Sequence, residues 1–199
     1  MDQSQADADA LWGTSEQSMT AFLETYETFD HEKVEPIYIR PAIIAVQKGN
    51  PKNIRSFDDL LAKGIKIVVT EGKGTYNTSG TGVWEDLAGR KGSLNDIARF
   101  RDNIVAYSLG SGASFKAFKD EKADAWITWP NWPLNNSKDM DMVSIDKDRA
   151  IWRDLNIVVS PKADPQTKDF LNFLITKKGQ KIMKTEGWQL LQLSGKYDE

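Results

Sequence analysis

The chain of 199 residues has no cysteine. That excludes disulfides, a thiol nucleophile and every cysteine-based zinc site. It has one histidine, His31, in the polar stretch "FDHEKVEP". A serine–histidine–acid triad would have to recruit that residue, and no G-x-S-x-G elbow accompanies it. His, Asp and Glu nowhere fall at metal-ligand spacing, so no metal or cofactor is expected. The phosphate-loop pattern G-x-x-x-x-G-K-[ST] is missing. Apolar runs are short: "AIIAVQ" falls far below the ~20 residues a membrane helix needs. No Lys/Arg run or basic stripe appears, and the net charge is -3, which argues against a nucleic-acid partner. Asp58 with Asp59, and Glu85 with Asp86, are adjacent in sequence, so they face apart on a helix instead of working as a carboxylate pair.

The composition, 40% hydrophobic and 28% charged, is that of a folded globular chain. Its length suits one sizeable domain or two small lobes. Short apolar runs alternate with amphipathic ones. "ADALWG" reads as a strand and "SEQSMTAFLETYE" as a helix, with Met19, Phe22, Leu23 and Tyr26 at helical spacing. "PIYIRPAIIAVQKG" is a long extended run that Pro41 interrupts, as at a sheet edge or a crossing between layers. "SFDDLLAKG" reads as a short helix capped by Ser56 and ended by Gly64. Strands follow over "IKIVVTEG", "IVAYSLG", "DAWITWP", "MVSID" and "DLNIVVSP". Helices are expected over 77–89, "SLNDIARFRDN" and "GASFKAFKDEKA", and the tail reads as two helices broken near Gly179. Such alternation predicts a mostly parallel α/β sheet with crossover helices.

Three strand-to-helix turns are rich in Ser, Thr and Gly. "ALWGTSEQS" holds Gly13, Thr14 and Ser15. "NTSGTGVWEDLAG" holds Thr78, Ser79, Gly80, Thr81 and Gly82. "YSLGSGASFKAF" holds Gly110, Ser111, Gly112 and Ser114. Parallel α/β sheets bind ligands beyond the carboxyl ends of their strands. A helix N-terminus there offers unspent N–H groups and about half a positive charge. In "NTSGTGVWED" the first acids, Glu85 and Asp86, are expected a turn into the helix, which leaves the dipole to an anion. Gly80 and Gly82 would let backbone amides approach it. The same residues also fit a plain flexible loop and helix cap. Arg40, in the interrupted strand, is a candidate bidentate charge partner, or a surface arginine paired with a carboxylate. Trp126 and Thr128 share one face of "DAWITW", either as core or as the wall of a ligand cleft. Asn77 and Asn135 match the glycosylation acceptor pattern, which arises often by chance.

The segments "ADALWGTSEQS", "PIYIRPAIIAVQKGNP", "NTSGTGVWED", "RDNIVAYSLGSGASFKAF", "ADAWITW" and "FLNFLITKKGQKIMKTEGW" together resemble the accessory colonisation factor AcfC family, which includes the Paa adhesin. The family lies within the type II periplasmic binding proteins, with the sulfate and molybdate receptors. The resemblance covers nearly the whole chain and is most specific at "NTSGTGVWED". It implies a two-lobed α/β fold with two crossing hinge strands near 42–48 and 156–161. One lobe would comprise 1–48 and 143–199, the other 49–142. The ligand would be a small oxyanion or a phosphorylated or carboxylated metabolite, such as sulfate, phosphate or a phosphoglycerate-like or citrate-like anion, held in the cleft without catalysis. Thr14, Ser15, Arg40, Thr78, Ser79, Gly80, Thr81, Ser111 and Gly112 would face it. The resemblance also implies a periplasmic or surface location, with the signal peptide absent from this chain, and an ABC permease or a host-cell surface as partner. Adhesion on the same scaffold is the alternative function. Family members carry a strand–helix–strand unit before "ADALWG", so the first lobe is expected to be N-terminally truncated. A homodimer that covers the gap is the corresponding expectation.

Overall fold

In a computed structural model, residues 8–26, 28–72 and 78–191 are described. The chain forms two compact units, Met1–Arg40 with Arg153–Glu199 and Pro41–Trp152, so it passes from one to the other twice. Sequence reading set these boundaries near 48 and 143. The strand after Pro41 belongs wholly to the second unit because it pairs on both sides there, as described below.

In the first unit, β1 (Ala10–Gly13), β8 (Trp152–Val159), β2 (Glu35–Pro41) and β9 (Gln189–Leu190) form a sheet in the order β1-β8-β2-β9. β1 runs antiparallel to β8, with Leu11 opposite Val158, and β9 antiparallel to β2. Alternate residues serve two cores. Val158 packs with Met19 and Leu23 of α1 (Glu16–Leu23) and with Phe29. Leu155 and Ile157 pack with Ile37, Tyr38, Leu174 and Met183, the last two from α6 (Pro165–Ile175) and α7 (Lys177–Thr185). The helix break expected at Gly179 falls at Thr176, whose side chain caps α7 by accepting from the Gly179 amide at 3.1 Å. Gly179 itself lies inside α7. A Cβ there would stand 2.2 Å from the Phe173 carbonyl oxygen, so its missing side chain lets the two helices meet.

In the second unit, β3 (Ile43–Gln47), β4 (Ile67–Glu71), β5 (Ile104–Leu109), β6 (Ala125–Thr128) and β7 (Met140–Ser144) form a sheet ordered β5-β4-β6-β3-β7. β4 is parallel to β5 and β6, while β3 is antiparallel to β6 and β7. The sheet is therefore mixed, not mostly parallel: β3 enters from the first unit without a crossover helix, against the direction of β6. Its central strands are apolar on both faces, as a doubly covered sheet demands. Ile44, Val46, Ile67, Val69 and Ile127 meet α2 (Val83–Gly89), α3 (Leu94–Asp102) and a short 3-10 helix, Asp58–Leu61. Ile43, Ala45, Val68 and Trp126 meet α4 (Ser111–Asp120). A short α5 (Asn131–Asn135) completes the unit. The residue flanking the 3-10 helix is Phe57, and Ser56, one place before it, accepts the Asp59 amide at its Oγ (3.4 Å).

Arg149, 1% exposed, ties the helices of one face together. Its Nη1 donates to the carbonyls of Leu87 (3.0 Å) and Ala88 (3.1 Å), closing the C-terminal end of α2. Its Nη2 donates to Asp58 (3.2 Å) and Asp96 (2.5 Å), and the guanidinium lies over Phe57. Asp58 is thus a structural carboxylate. The Arg149 hydrogen bond chiefly holds the Asp96 carboxyl below its ordinary pKa of 3.8. A lowered carboxyl contributes stability that is complete above 3.8 and is lost as pH falls through the folded value. Urea unfolding should therefore find Asp96→Asn less stable than the parent by roughly 1.5–3 kcal/mol at pH 5 to 7. The gap should narrow as pH falls below 3.8. A gap independent of pH would contradict this role for Asp96.

Candidate functional site

The carboxyl ends of β4 and β5 are joined through one hydroxyl. Thr70, 2% exposed, is the penultimate residue of β4. Its Oγ1 lies 2.8 Å from Ser114 Oγ in α4 and accepts the indole N–H of Trp126 at 3.2 Å. Ser114 Oγ also donates to the Gly110 carbonyl at 3.0 Å. The Thr70 carbonyl accepts the amide of Gly82 at 3.4 Å, and Gly80 lies directly against the Thr70 side chain. Glu71 accepts the Gly110 amide at its carbonyl (3.0 Å) and the Trp84 indole at its carboxylate. Thr70 and Glu71 thus hold two of the three predicted turns, 78–82 and 110–114, at neighbouring strand ends.

The first turn is not a helix N-terminus. α2 begins at Val83 with Gly82 as its N-cap, and Glu85 and Asp86 lie in its first turn. The expectation of an acid-free helix start at Ser79 to Thr81 is corrected accordingly. The amides of Gly80, Thr81 and Gly82 go to Thr78 Oγ1, the Thr78 carbonyl and the Thr70 carbonyl. They fold the turn and are spent inside it. Gly82 has φ +70°, the left-handed conformation that lets the chain enter α2. What the turn can offer is hydroxyl. Thr78 Oγ1 and Thr81 Oγ1 each accept a backbone amide, from Gly80 (3.3 Å) and Thr78 (3.0 Å), and each keeps its own proton to donate. Ser79 is buried at 8% exposure. Asn77 lies outside the described residues.

The second turn has the features that were expected of the first. α4 runs for ten residues from Ser111, with no acid in its first turn and no side-chain cap. Its N-cap, Gly110, has φ +80° and ψ 160°, a conformation open essentially to glycine alone. Among the described residues the amides of Ser111, Gly112 and Ala113 meet no acceptor, and a Cβ on Gly112 would touch nothing. Three parallel N–H groups and the Ser111 hydroxyl therefore face open space at the positive end of a helix. Ala113 and Thr70 were not singled out in the sequence. A threonine ending the apolar run "IVVT" was the available signal for Thr70.

In the first unit, Ser15 is the N-cap of α1: its Oγ accepts from the Ser18 amide at 3.2 Å, and it is 4% exposed. Glu16 already stands in that helix's first turn, so the α1 dipole is partly answered by the protein itself. Thr14 is half-buried between β1 and α1. Arg40 is 6% exposed near the end of β2, with its guanidinium 4.1 Å from the Trp188 ring. Desolvation draws its pKa down to about 10, which still leaves it cationic at neutral pH.

Trp126 and Thr128 are 0% and 3% exposed. Trp126 packs with Phe118 and Met140 and spends its N–H on Thr70, so its ring serves the core. His31 sits on an exposed 3-10 turn capped by Asp30, within the first unit. Among the described residues no group of His, Cys, Asp and Glu could hold a metal ion, and no helix is long and apolar enough to cross a membrane.

The sequence pattern that defines the bacterial extracellular solute-binding protein family matches residues 2–189. The sulfate-binding protein of Escherichia coli is 26% identical over 156 residues, which cover 72% of this chain and 44% of that protein. The chain thus spans less than half the length of this curated relative. Peb3 from Campylobacter jejuni, solved in one structure with L-phospholactate bound, superposes with a TM-score of 0.86 at 42% identity, over 94% of this chain and 81% of Peb3. The sulfate-binding protein SubI of Mycobacterium tuberculosis shares the fold, with a TM-score of 0.72 at 18% identity, over 96% of this chain and 72% of SubI.

Thr70→Val preserves shape but removes the shared hydroxyl, leaving the Trp126 N–H and Ser114 Oγ short of a partner. Unfolding measurements should show a loss of about 1–3 kcal/mol. Amide exchange at 110–114 should quicken more than in β3. Unchanged stability and exchange would show that the two turns do not depend on Thr70.

Proposed function

The chain belongs to the bacterial extracellular solute-binding protein family, and from that premise we propose that it is a non-catalytic receptor for a small oxyanion or a phosphorylated or carboxylated metabolite. The observation that carries the reading is the start of α4: three unspent amides, a serine hydroxyl and no first-turn acid, fixed beside a threonine-rich turn by Thr70. Hydrogen bonds from such donors to an ionised acceptor are stronger than neutral ones, and a helix terminus answers negative charge without a metal. In the second unit, Ser111, Gly112 and Ala113 would supply amides, and Thr78, Ser79 and Thr81 hydroxyls, with Gly80 shaping the turn. In the first unit, Thr14, Ser15 and Arg40 are the proposed contributors. Arg40 adds a desolvated cation suited to bidentate recognition of carboxylate or phosphate.

The relatives narrow the chemistry. The 42%-identical Peb3 carries phospholactate, which joins a phosphate to a carboxylate, whereas the sulfate-binding relative shares 26% identity. A two-headed phosphocarboxylate is therefore the favoured ligand over inorganic sulfate. We place the protein in the AcfC and Paa lineage, in the periplasm, as a homodimer that delivers its ligand to an ABC permease. A surface adhesin on the same scaffold is the second reading. The exposed row Val105, Tyr107 and Leu109 on the edge strand β5 favours it, because such a row invites contact with another macromolecule.

Ser111→Asp separates fold from function. A carboxylate at the first position of α4 suits the helix dipole, so folding is kept, but it occupies the proposed anion seat. Calorimetry with phospholactate, phosphate, sulfate and molybdate should find phospholactate bound most tightly by the parent. The variant should lose about 10–100-fold or more, the equivalent of one or two charge-assisted hydrogen bonds. Equal affinity in parent and variant would overturn this reading. Host-cell attachment by the parent that survives in the variant would favour the adhesin.

A further inference from the structure

A pocket of about 610 Å³ opens at the other ends of β4 and β5, where the strands begin. Five strand residues rising about 3.3 Å each separate it from the turns that follow β4. Its volume is in the range of small-molecule sites. Leu61, Ile65 and Val105 give it an apolar wall, and Lys63, Lys66 and Arg99 line it with charge. The single acid among the lining residues is Asp102. Three cations against one carboxylate make this pocket locally basic in a chain whose net charge is -3.

Its frame is fixed. Asn103, 8% exposed, donates to the carbonyls of Leu60 (2.8 Å) and Ala62 (2.7 Å) and accepts the Gly64 amide (3.3 Å). Arg99 anchors its Nε on the Leu61 carbonyl at 3.1 Å. Among the described residues its terminal nitrogens have no acceptor, and Lys63 has no ion pair. Lys66 donates to the Glu121 carbonyl at 2.9 Å, which holds its ammonium at the rim with protons to spare. A guanidinium held by Nε presents its two terminal N–H groups as a fork that matches a carboxylate.

We propose that this pocket is a second binding site, for a small carboxylate with a compact apolar body. An inorganic oxyanion would leave the wall of Leu61, Ile65 and Val105 unused. A neutral apolar guest would leave the Arg99 and Lys63 charges unused. A ring or branched aliphatic acid answers both. The site lies wholly within the second unit and is independent of the α4 seat.

Benzoate is the probe, and acetate its control for the apolar body. Nitrogen-15 NMR of the full chain should show benzoate shifting the amides of Gly64, Lys66 and Val105, with those of Ser111 to Ala113 unmoved. Acetate should bind at least 10-fold more weakly. Lys63→Gln changes an exposed side chain with no internal bond and should weaken benzoate binding several-fold. Arg99→Gln should weaken it 10-fold or more, with both variants keeping the parent's amide spectrum elsewhere. Absence of shifts at the three amides, equal binding of acetate and benzoate, or unchanged affinity in both variants would each overturn the proposal.

Discussion

The hydroxyl of Thr70 is the constraint on which the candidate site depends. It is buried among groups that cannot turn to water, so its hydrogen bonds must be made inside the protein. One oxygen meets Ser114 at the start of α4 and Trp126 from the neighbouring strand. The same residue's carbonyl takes the Gly82 amide that closes the turn before α2. Breaking the network leaves a buried polar group unpaired, which costs more than the bond contributes when made. The two turns are thereby fixed to each other through a rigid sheet, and no loop-to-loop contact is required. Binding sites held in this way pay little ordering cost when a ligand arrives.

The three Ser/Thr/Gly turns look alike in sequence but differ electrostatically. α1 has Glu16 in its first turn, and α2 has Glu85 and Asp86. Each of those dipoles is answered within the chain. α4 begins without an acid or a side-chain cap, and Gly110 takes a backbone conformation that leaves the following amides exposed. On the proposed reading, the asymmetry gives the anion to α4 and leaves the threonine-rich turn as a source of hydroxyl donors. Arg149 serves α2 at its other end, by closing the carbonyls of Leu87 and Ala88, so the helix after the turn is held at its carboxyl end as well.

Much of the fold was legible because periodicity reports burial. The apolar runs of β3, β4 and β6 and the helical spacing of α1 and α3 follow from which faces meet a core. The direction of β3 was not legible, since an antiparallel partner leaves no mark on an apolar run. Gly179 misled as a helix breaker: its role is close approach to the Phe173 carbonyl, a tertiary fact. The site was legible as a set of turns but not in detail. Glycine-rich composition cannot reveal that the amides of Gly80, Thr81 and Gly82 fold back on Thr78 and Thr70. Nor can it reveal that Trp126 spends its N–H beneath the turns. Sequence spacing placed Glu85 and Asp86 a turn too deep because it started α2 before Val83.

The central claim is that one anion is held by α4 and by the threonine turn together. The most direct measurement is a nitrogen-15 NMR titration of the parent chain with phospholactate, followed residue by residue. The account predicts large saturable shifts of the Ser111, Gly112 and Ala113 amides, and shifts over 78–81 that follow the same binding curve. Saturable binding that leaves the Ser111 to Ala113 amides unmoved would contradict it.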